Sequence, residues 1–190
     1  MKKTGKFLSI LVLVTGLSVS AKAALVDMHD GTIYDTETQL SWLKDAGSGG
    51  RITWDQAVAW ASGLNGGRGF AGLIGWRLPQ SDPTCGGDGF QYNCINSEMG
   101  HLYYTVFGAK LYEAGQKVDA LKNAGPFTNL KGFYYWTGQA SLYWDGKPNF
   151  ACTFAWDNGD QSPRLKEQPA CAWAVRYGTR SHAQLKAGAY

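Results

Sequence analysis

Large apolar residues recur at period two in several short runs of this chain, and glycine-rich punctuation separates the runs. Gly31-Thr32-Ile33-Tyr34-Asp35 and Gln39-Leu40-Ser41-Trp42-Leu43 flank the polar Thr36-Glu37-Thr38, which predicts an opening hairpin. After the loop Gly47-Ser48-Gly49-Gly50 the period changes. Thr53-Trp54-Asp55-Gln56 is a capping box, in which Thr53 accepts an orphan amide and Gln56 reaches back, so a helix starts there. Ala57, Val58, Ala61 and Leu64 continue at helical spacing, and Asn65-Gly66-Gly67 supplies the stop.

Gly75-Trp76-Arg77-Leu78-Pro79 predicts a strand that ends abruptly. Trp76 and Leu78 share one face, Arg77 takes the other, and Pro79 has no N–H to continue the ladder. Arg77, held between two apolar anchors, reads as a structural staple that satisfies loop carbonyls. The stretch from Ser81 to Asn96 is polar and glycine-rich, a loop that needs a cross-link to stay ordered. Ser97 then caps a second helix with Glu98 in its first turn, and Met99, Leu102, Tyr103 and Val106 or Phe107 form its inward stripe. His101 on that helix reads as a packed or hydrogen-bonded residue. Residues 108–131 predict an irregular or partly helical excursion.

Beyond it, Gly132-Phe133-Tyr134-Tyr135-Trp136-Thr137-Gly138 and Asn149 to Trp156 are strands dense in aromatic residues, and Asp157-Asn158-Gly159-Asp160 is a tight turn. Ala170-Cys171-Ala172-Trp173-Ala174-Val175-Arg176 is the final strand, with Arg176 as a second structural arginine.

Composition changes this picture at the start of the chain. Lys2, Lys3 and Lys6 precede an apolar run from Phe7 to Val19 and the small-x-small site Ala21-Lys22-Ala23, which predicts a secretory signal peptide over residues 1–23. Residues 24–190 then form a single exported domain, periplasmic or at the cell surface, with no membrane-spanning segment in the mature chain. The formal charge of +3 counts eighteen basic residues; without Lys2, Lys3, Lys6 and Lys22, fourteen remain against fifteen acidic ones. No global attraction to nucleic acid or to an anionic membrane follows. Four cysteines in an exported chain predict two disulfides, of which the favoured pairing is Cys85 with Cys94 and Cys152 with Cys171. No triad, zinc motif or phosphate loop is present, which points away from an enzyme.

Taken in order, the Gly-Thr hairpin, the Thr-Trp-Asp-Gln-Ala helix, Gly-Trp-Arg-Leu-Pro, Ser-Glu-Met-Gly-His-Leu-Tyr-Tyr, Tyr-Tyr-Trp-Thr-Gly, Asp-Asn-Gly-Asp and Ala-Trp-Ala-Val-Arg resemble the Lcl C-terminal domain family. That family takes its name from the collagen-like adhesin of Legionella. The likeness runs from about Gly31 to Gly178. It implies an α+β, C-type-lectin-like fold of two helices on small twisted antiparallel sheets, and a role in adhesion, with sulfated glycosaminoglycan as the namesake's ligand. In such a fold the late loops present the ligand surface. Tyr143, Trp144, Asp145, Lys147 and Asn149 lie in one of them and Asp157, Asn158 and Asp160 in the next, offering rings for sugar faces and amides or carboxylates for hydroxyls.

No cofactor or metal is expected: calcium through Asp145, Asn149, Asp157 and Asp160 is the lesser alternative, because Lys147-Pro148-Asn149 and Trp156-Asp157-Asn158 match the calcium motifs of sugar-binding lectins poorly. Lys110, Lys117, Lys122, Lys131, Lys147, Arg164 and Lys166 are the cations available to a sulfated polymer. Contact with a protein partner through the aromatic strands is the alternative to glycan binding. Formylglycine-generating enzymes share the broad fold but need reactive cysteines, an option that two structural disulfides would close.

Overall fold

The structure is a computed structural model that describes residues 25–85, 89–111, 123–141 and 148–178. The expected leader, and Tyr143, Trp144, Asp145 and Lys147 of the expected ligand surface, lie outside the described residues.

The opening alternation forms β2 (Thr32–Asp35) and β3 (Leu40–Leu43), which pair antiparallel with Ile33 opposite Trp42. A preceding strand, β1 (Leu25–Asp27), extends the hairpin. The capping box is complete at Thr53 and Gln56 and opens α1 (Trp54–Gly63) after the two-residue strand β4 (Arg51–Ile52). Asn65 does more than stop that helix: its Oδ1 accepts from the amides of Gly75 and Trp76, both at 2.7 Å, and so ties the end of α1 to the Trp-Arg-Leu-Pro segment.

That segment makes one bridge, Arg77 opposite Val175, and pairing stops before Pro79. Trp76 and Leu78 are buried on the same side. Arg77 does reach a loop carbonyl, that of Leu78, but its principal partner is a carboxylate. Its two terminal nitrogens meet Glu98 at 2.8 and 2.6 Å in a fork. Arg176 donates to the carbonyls of Ile74 and Gly178 at 2.6 and 2.5 Å.

Ser97 caps α2 (Glu98–Gly100), which passes directly into a π-helical turn over His101–Val106. The wider turn carries Leu102, Tyr103 and Tyr104 inward together, where a regular helix would have rotated one of them toward solvent. A Cβ at Gly100 would collide with the carbonyl of Cys94, so this helix sits directly on the loop closed by the Cys85–Cys94 disulfide. His101 stands across from the first hairpin, with Nε2 3.2 Å from Asp35 Oδ2. Burial alone would raise the Asp35 carboxyl; bonds from His101, Thr38 and the Glu37 amide outweigh it and hold the group below its ordinary value.

The aromatic runs become β5 (Tyr134–Ser141) and β6 (Phe150–Ala155), and a strand not foreseen, β7 (Gln161–Leu165), returns along β6. The final run is not one strand. Ala170–Cys171 (β8) joins β4 and β5 in a five-stranded sheet of order β4-β8-β5-β6-β7, whereas Val175–Tyr177 (β9) joins a four-stranded sheet of order β1-β2-β3-β9. Buried Ala172, Trp173 and Ala174 cross between the sheets. At that corner Trp173 packs on Trp42 with centroids 4.6 Å apart, on Phe127 at 4.9 Å and on Trp156 at 5.9 Å. Its Nε1 donates to the Leu43 carbonyl at 2.7 Å. The core of this α+β fold is therefore an aromatic cluster between two sheets.

The sheet order overturns the second expected disulfide. Neither Cys152 nor Cys171 is in a disulfide. Cys152 lies on β6 and Cys171 on β8, with β5 between them. Two strand spacings amount to about 9.5 Å, too far for a pair whose Cα atoms must approach within about 7 Å. Burial pushes the Cys171 thiol above its ordinary value.

Candidate functional site

The β6–β7 hairpin separates the expected ligand residues into two groups. Asn149 stands immediately before β6, and Asp157 to Asp160 form the turn after it. At about 3.3 Å per residue the two groups are some 17–20 Å apart, so Asn149, Asp157 and Asp160 cannot close on one calcium ion. Among the described residues no group of three or more His, Cys, Asp or Glu is placed to hold a metal.

The turn end is closed. Asp157 is exposed and Asn158 half-buried, but Asp160 is completely buried, which removes it from the expected ligand contacts. Its Oδ1 accepts from the Gln91 amide at 3.1 Å and its Oδ2 from Ser162 Oγ at 2.7 Å. Burial pushes its carboxyl up to about 6, against the lowering effect of those two bonds. Asn158 Oδ1 accepts from the Asp160 amide, and Tyr104 Oη donates to the Gly159 carbonyl at 3.0 Å. This end is a polar staple between the hairpin, the π-helical turn and the disulfide loop. The loop itself is held by the Gln161 side chain, which donates to the carbonyls of Asp82 and Cys85, both at 3.0 Å.

The opposite end is open. Asn149 lines a groove of about 370 Å³ with Thr53, Asp55, Leu165, Lys166 and Glu167. Two backbone bonds build it: Lys166 N donates to the Asn149 carbonyl at 2.8 Å, and Trp54 N donates to the Lys166 carbonyl at 2.9 Å. The start of α1 is thereby clamped to the end of β7. Lys166 Nζ lies 4.4 Å from the centre of the Trp54 ring, whose Nε1 donates to the Thr137 carbonyl at 2.8 Å. The groove thus presents two carboxylates, one amide, one hydroxyl and one ammonium within a single hollow. Such a set exchanges hydrogen bonds with a ligand rich in hydroxyls, because it holds both donors and acceptors.

No protein-family model matches the chain, and no curated protein or solved structure matches it. The groove therefore stands on its own geometry.

Of the residues expected at a site, Asn149 alone among those described reaches the groove, and Lys166 joins it from the set of cations considered for a sulfated polymer. Arg164 lies over the Tyr134 ring at 5.2 Å. Asp55 and Glu167 were not foreseen. Asp55 follows the cap of α1 and Glu167 follows β7, and each looks like an ordinary surface acid in its own neighbourhood of sequence.

Proposed function

We propose that this chain is an exported, non-enzymatic recognition domain of C-type-lectin-like fold that holds a glycan in the groove between Asp55 and Asn149. The observation that carries this reading is the convergence of Thr53, Asp55, Asn149, Lys166 and Glu167 from three separate elements on one open hollow. The likeness of the ordered motifs to the Lcl C-terminal domain family supports it. The pairing of the first hairpin with β9 supports the lectin-like fold, since it brings the two ends of the domain together and leaves the second sheet to carry the long connections.

The groove's charge favours a neutral, hydroxyl-rich polymer over a sulfated one. Asp55 and Glu167 outnumber Lys166, which already lies over an indole, so a sulfate there would meet two carboxylates. Glycan-array binding of oxidised protein, with neutral and sulfated glycans side by side, tests this. Retention of neutral glycans that falls on Asn149→Ala and persists in Asp157→Ala is the expected result. Release of reducing ends would make the chain a hydrolase instead. A stable protein partner with no glycan signal would favour assembly contacts in the periplasm.

A further inference from the structure

A second hollow lies farther along the same helix. It measures about 510 Å³ and its walls are Val58 and Ala61 of α1, Trp76, Leu78 and Gly138. Its polar atoms are neutral or spent. The Arg77 guanidinium that borders it is forked onto Glu98. Gln139 Oε1 accepts from the Ser81 amide at 2.9 Å and from the Ser81 hydroxyl, while among the described residues the Gln139 Nε2 amide has no acceptor. Ser62 and Gln80 add an exposed hydroxyl and an exposed amide at the rim.

The two hollows are neighbours. Trp54, Val58, Ala61 and Ser62 fall on one stripe of α1 at three- and four-residue spacing. Trp54 sits between Thr53 and Asp55 of the polar groove, and its indole reaches the carbonyl of Thr137, the residue before Gly138 of the apolar cleft. From Asp55 to Ser62 the helix rises about 10 Å. A single sugar ring fills one hollow and cannot reach the other.

We infer that the polar groove and the apolar cleft are two subsites of one trench along α1, joined at Trp54, and that the ligand is an uncharged oligosaccharide chain of several rings, engaged by hydroxyls at Asp55 and Asn149 and by an apolar ring face at Val58 and Trp76. This rests on the recognition proposed above. The walls argue for such an occupant. A sugar ring has an apolar C–H face and a polar edge, which matches aliphatic and indole walls with an amide donor at their rim, and the charge that borders the cleft, Arg77, is already paired with Glu98.

Calorimetric titration of the folded, oxidised protein with cello- and chito-oligosaccharides, from the monosaccharide to the hexasaccharide, tests the trench. Affinity is expected to rise by about tenfold or more with length as the chain spans both hollows. Val58→Trp, which fills the cleft from an exposed helix position, should abolish that rise. Ser62→Trp gives the same reading if Val58→Trp does not fold. Asn149→Ala should weaken every length. Binding that does not depend on length, or a length dependence that survives both tryptophan variants, overturns the trench while leaving the recognition domain standing. No binding by any member of either ladder or of the glycan array overturns both.

Discussion

At one end of the β6–β7 hairpin, Asn149, Lys166 and Glu167 stand around an open groove; at the other, Asn158, Gly159 and Asp160 are tied down by Tyr104, Gln91 and Ser162. Both ends are rich in the amides and carboxylates that sugars and cations attract. Their difference shows that such side chains are available to a ligand only where the fold has not already used them. At the turn end, the π-helical segment and the disulfide loop supply protein partners for the polar atoms. At the groove end, backbone bonds clamp α1 to β7 and Asp55, Asn149 and Glu167 stay exposed.

The largest expected effect comes from breaking the closed end. Gly159 has φ +75°, and a Cβ there would meet the Tyr103 ring at 2.8 Å and collide with the Tyr104 hydroxyl. Gly159→Ala should cost about 2–4 kcal/mol, read as a lower urea midpoint at unchanged slope. Glycan binding per folded molecule should remain, because the groove lies at the far end.

A second variant works in the opposite direction. The Asp160 carboxyl is raised in the fold, so folding favours its proton. Its contribution is fully present below the ordinary carboxylate value of 3.8 and is lost as pH climbs through about 6. Asp160→Asn keeps an acceptor for the Gln91 amide and carries no charge. It should be more stable than the parent by roughly 1–3 kcal/mol at neutral pH, with the gap closing near pH 4, in thermal unfolding followed across that range.

The smallest effect on stability belongs to the open end. Lys166→Met keeps the aliphatic stem over Trp54 and loses only the cation, a change of about 1 kcal/mol or less in unfolding free energy. Its glycan affinity should nevertheless fall about tenfold. A Lys166→Met protein that binds as tightly as the parent would erase the functional contrast between the two ends.

The elements governed by near neighbours were legible in the sequence. The capping box at Thr53 and the Ser97 cap each depend on a few adjacent residues, and both occur as read. The short disulfide between Cys85 and Cys94 belongs with them, whereas the expected Trp-Arg-Leu-Pro strand is reduced to the single bridge at Arg77. The errors lie where distant segments decide. The 170–176 run reads as one strand because its alternation is unbroken, yet its halves pair with different sheets. Cys152 and Cys171 look like partners until β5 is placed between their strands. The buried state of Asp160 follows from Tyr104 and Gln91, which arrive from the π-helical turn and the disulfide loop.

The sequence by itself determined where helices begin and which side chains form the aromatic core, because capping and hydrophobic period act over a few residues. Tertiary structure alone decided which polar residues face solvent together. Asp55 and Glu167 are more than a hundred positions apart, and they share a groove only because strand order brings the end of β7 against the first turn of α1.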